Sequence, residues 1–399
     1  MKPVTGEEIA VPGGETGYKR VVGPEAFLFL LAAAVLLGMM CHIMGAVNMV
    51  NTLMNTAYSL LMDTVFYIMA IAVLAGAVSG LLSEFGVVAL LNRLLSPLMG
   101  PLYGLPGASA VGVMATYLSD NPAILTLAED RNFRRYFKMY QLPALTNIGT
   151  AFGMGLIITS FVIGLRGPGG ESFIKAALVG NLGAVAGSIV SARLMLLKTK
   201  RLYGDAPLPG EAGMYGGAAA DENLRLVRQG GVGTRFIEAM LSGGRNGVDM
   251  GLAIVPGVLI ICSVVMMLTN GPGETGGYTG AAFEGVAFLP WLAQKLSFVI
   301  EPLFGFSSPE AAAVPITALG AAGAAIGLIP KMIRQGLADA GDVAVFTAMC
   351  MCWSGYLSTH VAMMDSLHFR SLTGHAILCH TIGGICAGVT ANLIFGLVC

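Results

Sequence analysis

Long apolar runs alternate with short polar joints from one end of the chain to the other. A helix needs about 20 apolar residues to cross a hydrocarbon core. Runs of that kind fall at 25–45, 60–83, 139–165, 173–196, 249–269, 343–364 and 376–398, and each predicts a membrane-spanning helix. Two further apolar regions, 98–128 and 302–330, are interrupted by Pro, Gly and small residues. Each follows an amphipathic stretch, "FGVVALLNRLLSPLMG" (85–100) in one case and "VAFLPWLAQKLSFVIEPLFG" (286–305) in the other. The amphipathic stretches read as helices lying in the membrane interface.

The order of parts repeats. "PLYGLPGASAV" (101–111) matches "PLFGFSSPEAAAV" (302–314) at an offset of 201, and "AALVGNLGAVAGSIV" (176–190) matches "AILCHTIGGICAGVT" (376–390) at 200. The expected fold is therefore all-α: a polytopic helical membrane protein with inverted repeats. Each repeat holds an interfacial helix, a re-entrant hairpin and two further transmembrane helices. The expected organisation is a cytoplasmic tail (1–24), an extra first helix and loop (25–59), a first repeat (60–196), a Gly/Ala-rich cytoplasmic linker (197–248) and a second repeat (249–399).

Charge sets the expected topology. Lys19 and Arg20 precede the first span, and Lys198, Lys200 and Arg201 follow 173–196, which places both ends on the cytoplasmic side of an inner membrane. Arg131, Arg134, Arg135 and Lys138 belong on that side too, and they reach it only if 98–128 enters and leaves by the same face. Lys331 and Arg334 break the pattern, because the inverted second repeat carries them outside.

Composition narrows the function. With 55% hydrophobic and 11% charged residues, the chain lacks the roughly 25% of charged residues of a soluble domain. A net charge of −1 offers nothing to nucleic acid. The seven cysteines form no CxxC pair and no metal-ligand spacing, so they read as buried thiols. No nucleophile–base pair, P-loop or metal-binding constellation appears, so no enzyme activity and no cofactor or metal is expected.

Candidate binding chemistry sits where the spans are interrupted. In "TYLSDNPAILTLAED" (116–130) the helix from Gly107 to Leu118 would be roughly 18 Å long. That brings Ser119, Asp120 and Asn121 near mid-membrane. Pro122 then opens the return arm, with Asp or Asn as its cap. An acid there costs roughly 2.5–3.5 kcal/mol in lipid, which favours a tip that faces solute over one that merely caps. "LPALTNIGTAFGMG" (142–155) places Thr146, Asn147 and Thr150 in a glycine-rich span that can unwind to offer carbonyls and hydroxyls, or can simply pack closely. In "CWSGYLSTH" (352–360), Trp353 and Tyr356 can stack on a ligand or serve as core. Ser354 can hydrogen-bond a solute, and Thr359 and His360, with Thr150, are ion-coupling candidates. The second tip, within 318–330, has no polar side chain.

This order of parts resembles the Gate (nucleoside-recognition) domain family and, more distantly, the concentrative nucleoside transporters, over about 60–398. Ser119-Asp120-Asn121-Pro122 is similar to the Thr-Glu-Ala-Pro part of the transporters' first-hairpin motif, and Trp353-Ser354-Gly355-Tyr356 to their Phe-x-Asn-Phe. Their second-hairpin Asn-Glu-Phe has no counterpart here. The resemblance implies a secondary transporter of a small polar solute, a nucleoside or related metabolite, working by alternating access. The implied partners are that solute and the lipid bilayer. Coupling to Na+ or H+ and homo-oligomerisation stay open. Alternatives within the same fold are a scaffold of the spore maturation type and a metal-ion permease.

Overall fold

The computed structural model describes residues 22–119, 123, 136–206, 227–253, 255–273, 276–320 and 322–398. Asp120, Asn121, Pro122 and the basic residues Arg131, Arg134 and Arg135 lie outside the described residues, as does 207–226 of the expected linker. Among the described residues there is no strand, only an isolated bridge between Arg166 and Ser172.

Helix α1 (Pro24–Met44) opens with a proline in its first turn, where the missing N–H costs nothing. Its large apolar side chains, Phe27 to Leu31 among them, are exposed. A helix that is apolar on all sides and barely packed suits lipid rather than water. Helix α2 (Ala46–Ser59) runs through a π turn (Leu60–Val65) into α3 (Phe66–Glu84). The expected loop 46–59 is thus helical. Its polar residues lower the apolar signal because they hold another segment. Asn48 and Asn55 donate to the carbonyls of Tyr278 (2.9 Å) and Gly280 (2.8 Å), and Thr56 accepts from the Phe283 N–H (2.8 Å).

A second bent helix answers the first. Helix α9 (Val232–Ala253) leads to a π turn (Gly257–Cys262) and α10 (Ser263–Thr269), and the two π turns touch. Helical structure therefore begins inside the segment expected to be a linker. Its glycines are a packing surface: a Cβ on Gly243 would stand 2.1 Å from the Gly76 carbonyl oxygen, and one on Gly247 2.3 Å from that of Ala72. Small residues let the α3 and α9 backbones meet. Arg228 and Arg235 close the end of this pair by binding the buried Glu84 carboxylate at 2.8 and 2.7 Å.

The remaining parts follow the expected order twice. In the first set, α4 (Val87–Tyr103) stops at Gly104, which has φ 72°; α5 (Ser109–Leu118) follows. The expected span 139–165 is broken into α6 (Ala144–Thr150) and α7 (Gly155–Gly164) by a turn with Met154 at φ 56°. Then comes α8 (Ile174–Tyr203). In the second set, α11 (Phe288–Lys295) and α12 (Ser297–Phe304) precede a 3-10 turn, α13 (Ala313–Ala318) and α14 (Ala322–Arg334). The expected span 343–364 is likewise broken, into α15 (Ala340–Cys352) and α16 (Tyr356–Ser366), with Gly355 at φ 59°. Helix α17 (Thr373–Val398) ends the chain's described part.

Helices α8 and α17 cross antiparallel at the centre. A Cβ on Gly183 would lie 2.6 Å from the Ala387 oxygen, and one on Gly187 2.4 Å from that of Gly383. Among the described residues five stretches, Pro24–Met44, Ala46–Glu84, Ala144–Gly164, Ile174–Tyr203 and Arg370–Val398, are long and apolar enough to cross a membrane.

Between α10 and α11 the loop folds around Glu284, which is buried. Burial pushes its carboxyl up, but the Thr279 hydroxyl and the Thr279 and Gly280 N–H groups outweigh that and hold it below the ordinary value of 4.5. A carboxyl lowered in the folded state stabilises fully above its unfolded value, and that contribution is lost as pH falls through the folded one. Thermal unfolding in detergent should therefore show stability falling below about pH 4.5, and Glu284→Gln should be less stable than wild type at pH 7 and converge with it in acid. At the central crossing, Gly187→Ala should cost about 1–3 kcal/mol by overpacking, read as a lower midpoint in the same measurement.

Candidate functional site

Each of the two interrupted apolar regions, as far as it is described, is tied at its neck and packs against a broken helix. In the first, the Gln141 side-chain amide donates to the Gly104 carbonyl at 3.1 Å, so the chain returns to where it left. At the other end Tyr117 of α5 covers the break, since a Cβ on Gly155 would fall 2.2 Å from its ring. Its hydroxyl pairs with Thr159 at 3.1 Å. In the second, the Ser308 hydroxyl donates to the Leu337 carbonyl at 2.7 Å, and the Ser307 N–H donates to Asp342 at 3.1 Å. The α13–α14 turn then meets the other break, where the Gly355 N–H donates to the Ala318 carbonyl at 3.2 Å.

The neck of the first region also fixes two polar joints on one side. Lys138 pairs with Asp205 at 2.9 Å, and the Met139 N–H donates to the Ala206 carbonyl at 3.1 Å. The hydrogen-bonded pair raises the Lys138 ammonium and lowers the Asp205 carboxyl. Lys138 and Met139 therefore lie beside Asp205 and Ala206 at one end of the helices.

Between the two breaks lies a buried polar chain. Asn147 donates to the Ser191 hydroxyl at 2.9 Å and to the Ala376 carbonyl at 3.0 Å. Ser191 is bonded in turn to His380 Nδ1 at 3.0 Å, and His380 Nε2 meets the Cys352 carbonyl. A carbonyl only accepts, so His380 carries its proton on Nε2 and accepts a hydrogen bond from the Ser191 hydroxyl at Nδ1. His360 is oriented by the same logic: Nδ1 donates to the Tyr356 carbonyl at 3.0 Å, which leaves Nε2 as a bare acceptor. The two imidazoles stand 4.6 Å apart, with Tyr356 5.1 Å from His380. Tyr356 reaches Thr381 at 2.7 Å and stacks on Trp353 at 6.3 Å.

The structure thus brings Asn147, Trp353, Tyr356 and His360 into one cluster that joins both halves. Thr146 is buried beside Met364, Thr150 donates to the Thr146 carbonyl at 2.7 Å, and Thr359 to that of Gly355 at 3.1 Å. Ser354 is buried and Ser119 is exposed at the end of α5. Ser191 and His380 complete the cluster and were not among the expected site residues. Gly183, Gly187 and Ser191 recur every four residues on α8, and Ala376, His380, Gly383 and Ala387 share one face of α17. A histidine on such a stripe has to be buried. Among the described residues, Asn147 Oδ1, His360 Nε2 and Trp353 Nε1 are buried polar atoms with no partner. Among the same residues no three His, Cys, Asp or Glu side chains converge on a metal position.

Comparison with solved structures places this architecture. CNTnw, a concentrative nucleoside transporter, in an inward-facing substrate-bound state aligns with 94% of this chain and 87% of its own, at 16% identity and TM-score 0.50. A variant of it in an outward-facing state covers 94% and 86%, at 16% identity and TM-score 0.52. The fold is that of these transporters. A variant in an intermediate state covers 94% and 82%, at 15% identity and TM-score 0.51. No protein-family profile and no curated protein matches the sequence. At this identity the likeness concerns the fold: multi-pass, helical and membrane-embedded.

Removing one link of the buried chain should be costly. Asn147→Ala leaves the Ala376 carbonyl and Ser191 oxygen without their donor, a loss of about 1–3 kcal/mol. The check is the thermal midpoint of the purified variant against wild type.

Proposed function

We propose that the chain is a secondary transporter of a small polar solute, working by alternating access in an inner membrane with its N-terminus cytoplasmic. The observation that carries this reading is the pairing of each hairpin tip with a broken helix, Tyr117 on Gly155 and Ala318 on Gly355. Discontinuous helices near the bilayer midplane expose backbone groups where a solute can use them, and rocking of one repeat against the other opens the site to either side. Polar atoms left bare in the interior, Asn147 Oδ1, His360 Nε2 and Trp353 Nε1, offer two acceptors and a donor.

Two features support inverted repeats. The contact pairs Gly183–Ala387 and Gly187–Gly383 exchange with one another under the sequence offset of 200. That reciprocity is the mark of a two-fold axis, and because α8 and α17 are antiparallel the axis lies across the helices, in the membrane plane. The closed necks, Gly104 with Gln141 and Ser308 with Leu337, support re-entrant hairpins at equivalent places. In this reading Ser119, Asp120 and Asn121 form the polar tip. Thr146, Asn147, Trp353, Ser354 and Tyr356 line the solute path, and Thr150, Thr359 and His360 stand where a coupling Na+ or H+ would act. A nucleoside-like metabolite is the expected solute class.

Proteoliposome uptake across a panel of nucleosides, dipeptides and metal ions tests the proposal, with saturable uptake of an organic solute expected. The thiol of a Ser119→Cys variant should react with a membrane-impermeant maleimide and be protected by that solute. No uptake, together with no protection of that thiol, would leave the scaffold reading in its place.

A further inference from the structure

A cavity of about 350 Å³ opens between the α2–α3 helix, the end of α7 and the outer part of α14, away from the buried polar chain. It falls within the roughly 300–1,000 Å³ typical of small-molecule sites. Its walls come from both halves and carry Arg166, Lys331 and Arg334 against one acid, Asp63. Among the described residues no carboxylate comes within 4.0 Å of any of the three cations.

The cations are held in place without being neutralised. Arg166 Nη1 donates to the carbonyls of Ile163 (3.0 Å) and Leu165 (2.7 Å), which orients the guanidinium and leaves its other donors unused. Lys331 Nζ rests 3.9 Å over the Phe283 ring, which holds the ammonium in place by a cation–π contact. Arg334 is exposed. Asp63 is turned to the Ser59 hydroxyl at 2.9 Å instead of to a base. Glu310 shares an adjoining crevice with Lys331 but makes no ion pair with it. Like charges gathered on low-dielectric walls focus the field and concentrate counter-ions. Lys331 and Arg334 are also the two residues whose outer placement the charge rule for loops leaves without a reason.

We propose that this cavity binds an oxyanion, a phosphate or carboxylate group, between Arg166, Lys331 and Arg334. The guanidiniums take two oxygens each in fork geometry, and the ammonium adds a point charge. It deepens the transporter reading by giving the solute an anionic group, and rests on that reading for the solute's identity alone. The same chemistry is presented by a soluble phosphate and by the headgroup of an anionic lipid.

The test measures binding separately from transport. Purified protein in detergent is titrated with inorganic phosphate at constant ionic strength, with chloride as control, and thermal stability is followed. Saturable stabilisation by phosphate alone is expected. Lys331→Gln/Arg334→Gln should weaken it at least about tenfold, the equivalent of roughly 1.4 kcal/mol. Arg334→Glu, at an exposed position that leaves the fold intact, should do the same. In nanodiscs, phosphatidylglycerol competing with phosphate where phosphatidylcholine does not would support a headgroup as occupant. Indifference to both lipids would support a soluble anion. No stabilisation beyond the chloride control, or unchanged affinity in Arg334→Glu, overturns the site. Phosphate binding without any solute uptake would remove the transporter reading and keep the site; uptake without phosphate binding would do the reverse.

Discussion

The fold depends on how closely two backbones approach. Where α8 and α17 cross, Gly183, Gly187 and Gly383 leave no room for even a methyl group. Lipid gives apolar helices no reason to prefer each other, so contact and hydrogen bonding have to supply the attraction. The glycines bring the helices near enough for both. With the backbones this close, Ser191 on one helix reaches His380 on the other, and Asn147 reaches across to Ala376. Polar groups that would be expensive in lipid thereby find partners inside the protein.

Around that crossing the chain builds two similar halves with unlike chemistry. The breaks in α6–α7 and α15–α16 are alike in position and in their left-handed residues, Met154 and Gly355. Their surroundings differ. Trp353, Tyr356 and His360 crowd the second break, and a Cβ on Gly384 would collide with the Trp353 indole at 2.0 Å. The first break has Tyr117 of α5 laid against it. The aromatic and imidazole groups thus belong to the second half, and Asn147 and Ser191, which they meet through His380, to the first.

Much of this was legible in the sequence because membrane segments obey few rules. The all-helical order of elements, the break after Thr150 and the turn after Ala318 followed from apolar length and from Gly, Pro and Thr placement. Helices α2 and α9 did not. Asn48, Thr52, Asn55 and Thr56 look like loop residues until the 278–286 segment they hold is in view. The glycines of α9 look like a linker until α3 is laid against them. In both cases local composition was overruled by a partner more than 150 residues away in sequence. The imidazole pair was hidden for a different reason: His360 and His380 are only 20 residues apart but sit on different helices, and the turn that brings their rings to 4.6 Å has no sequence signal of its own. The Asp120 and Asn121 tip lies outside the described residues, so its place rests on the sequence and on Ser119, which ends the described arm.

The hydrogen bond between Gln141 and Gly104 has a mechanical consequence. An arm free at both ends would absorb a push by bending, whereas one pinned at Gly104 and Gln141 behaves as a lever with a fixed pivot. Helix α5 has 10 residues, an arm of roughly 15 Å, so a turn of about 10° at the pivot carries its tip roughly 2.6 Å. That is close to the width of a water molecule, and comparable with the 3.1 Å that separates the Tyr117 and Thr159 hydroxyls at the far end of the arm.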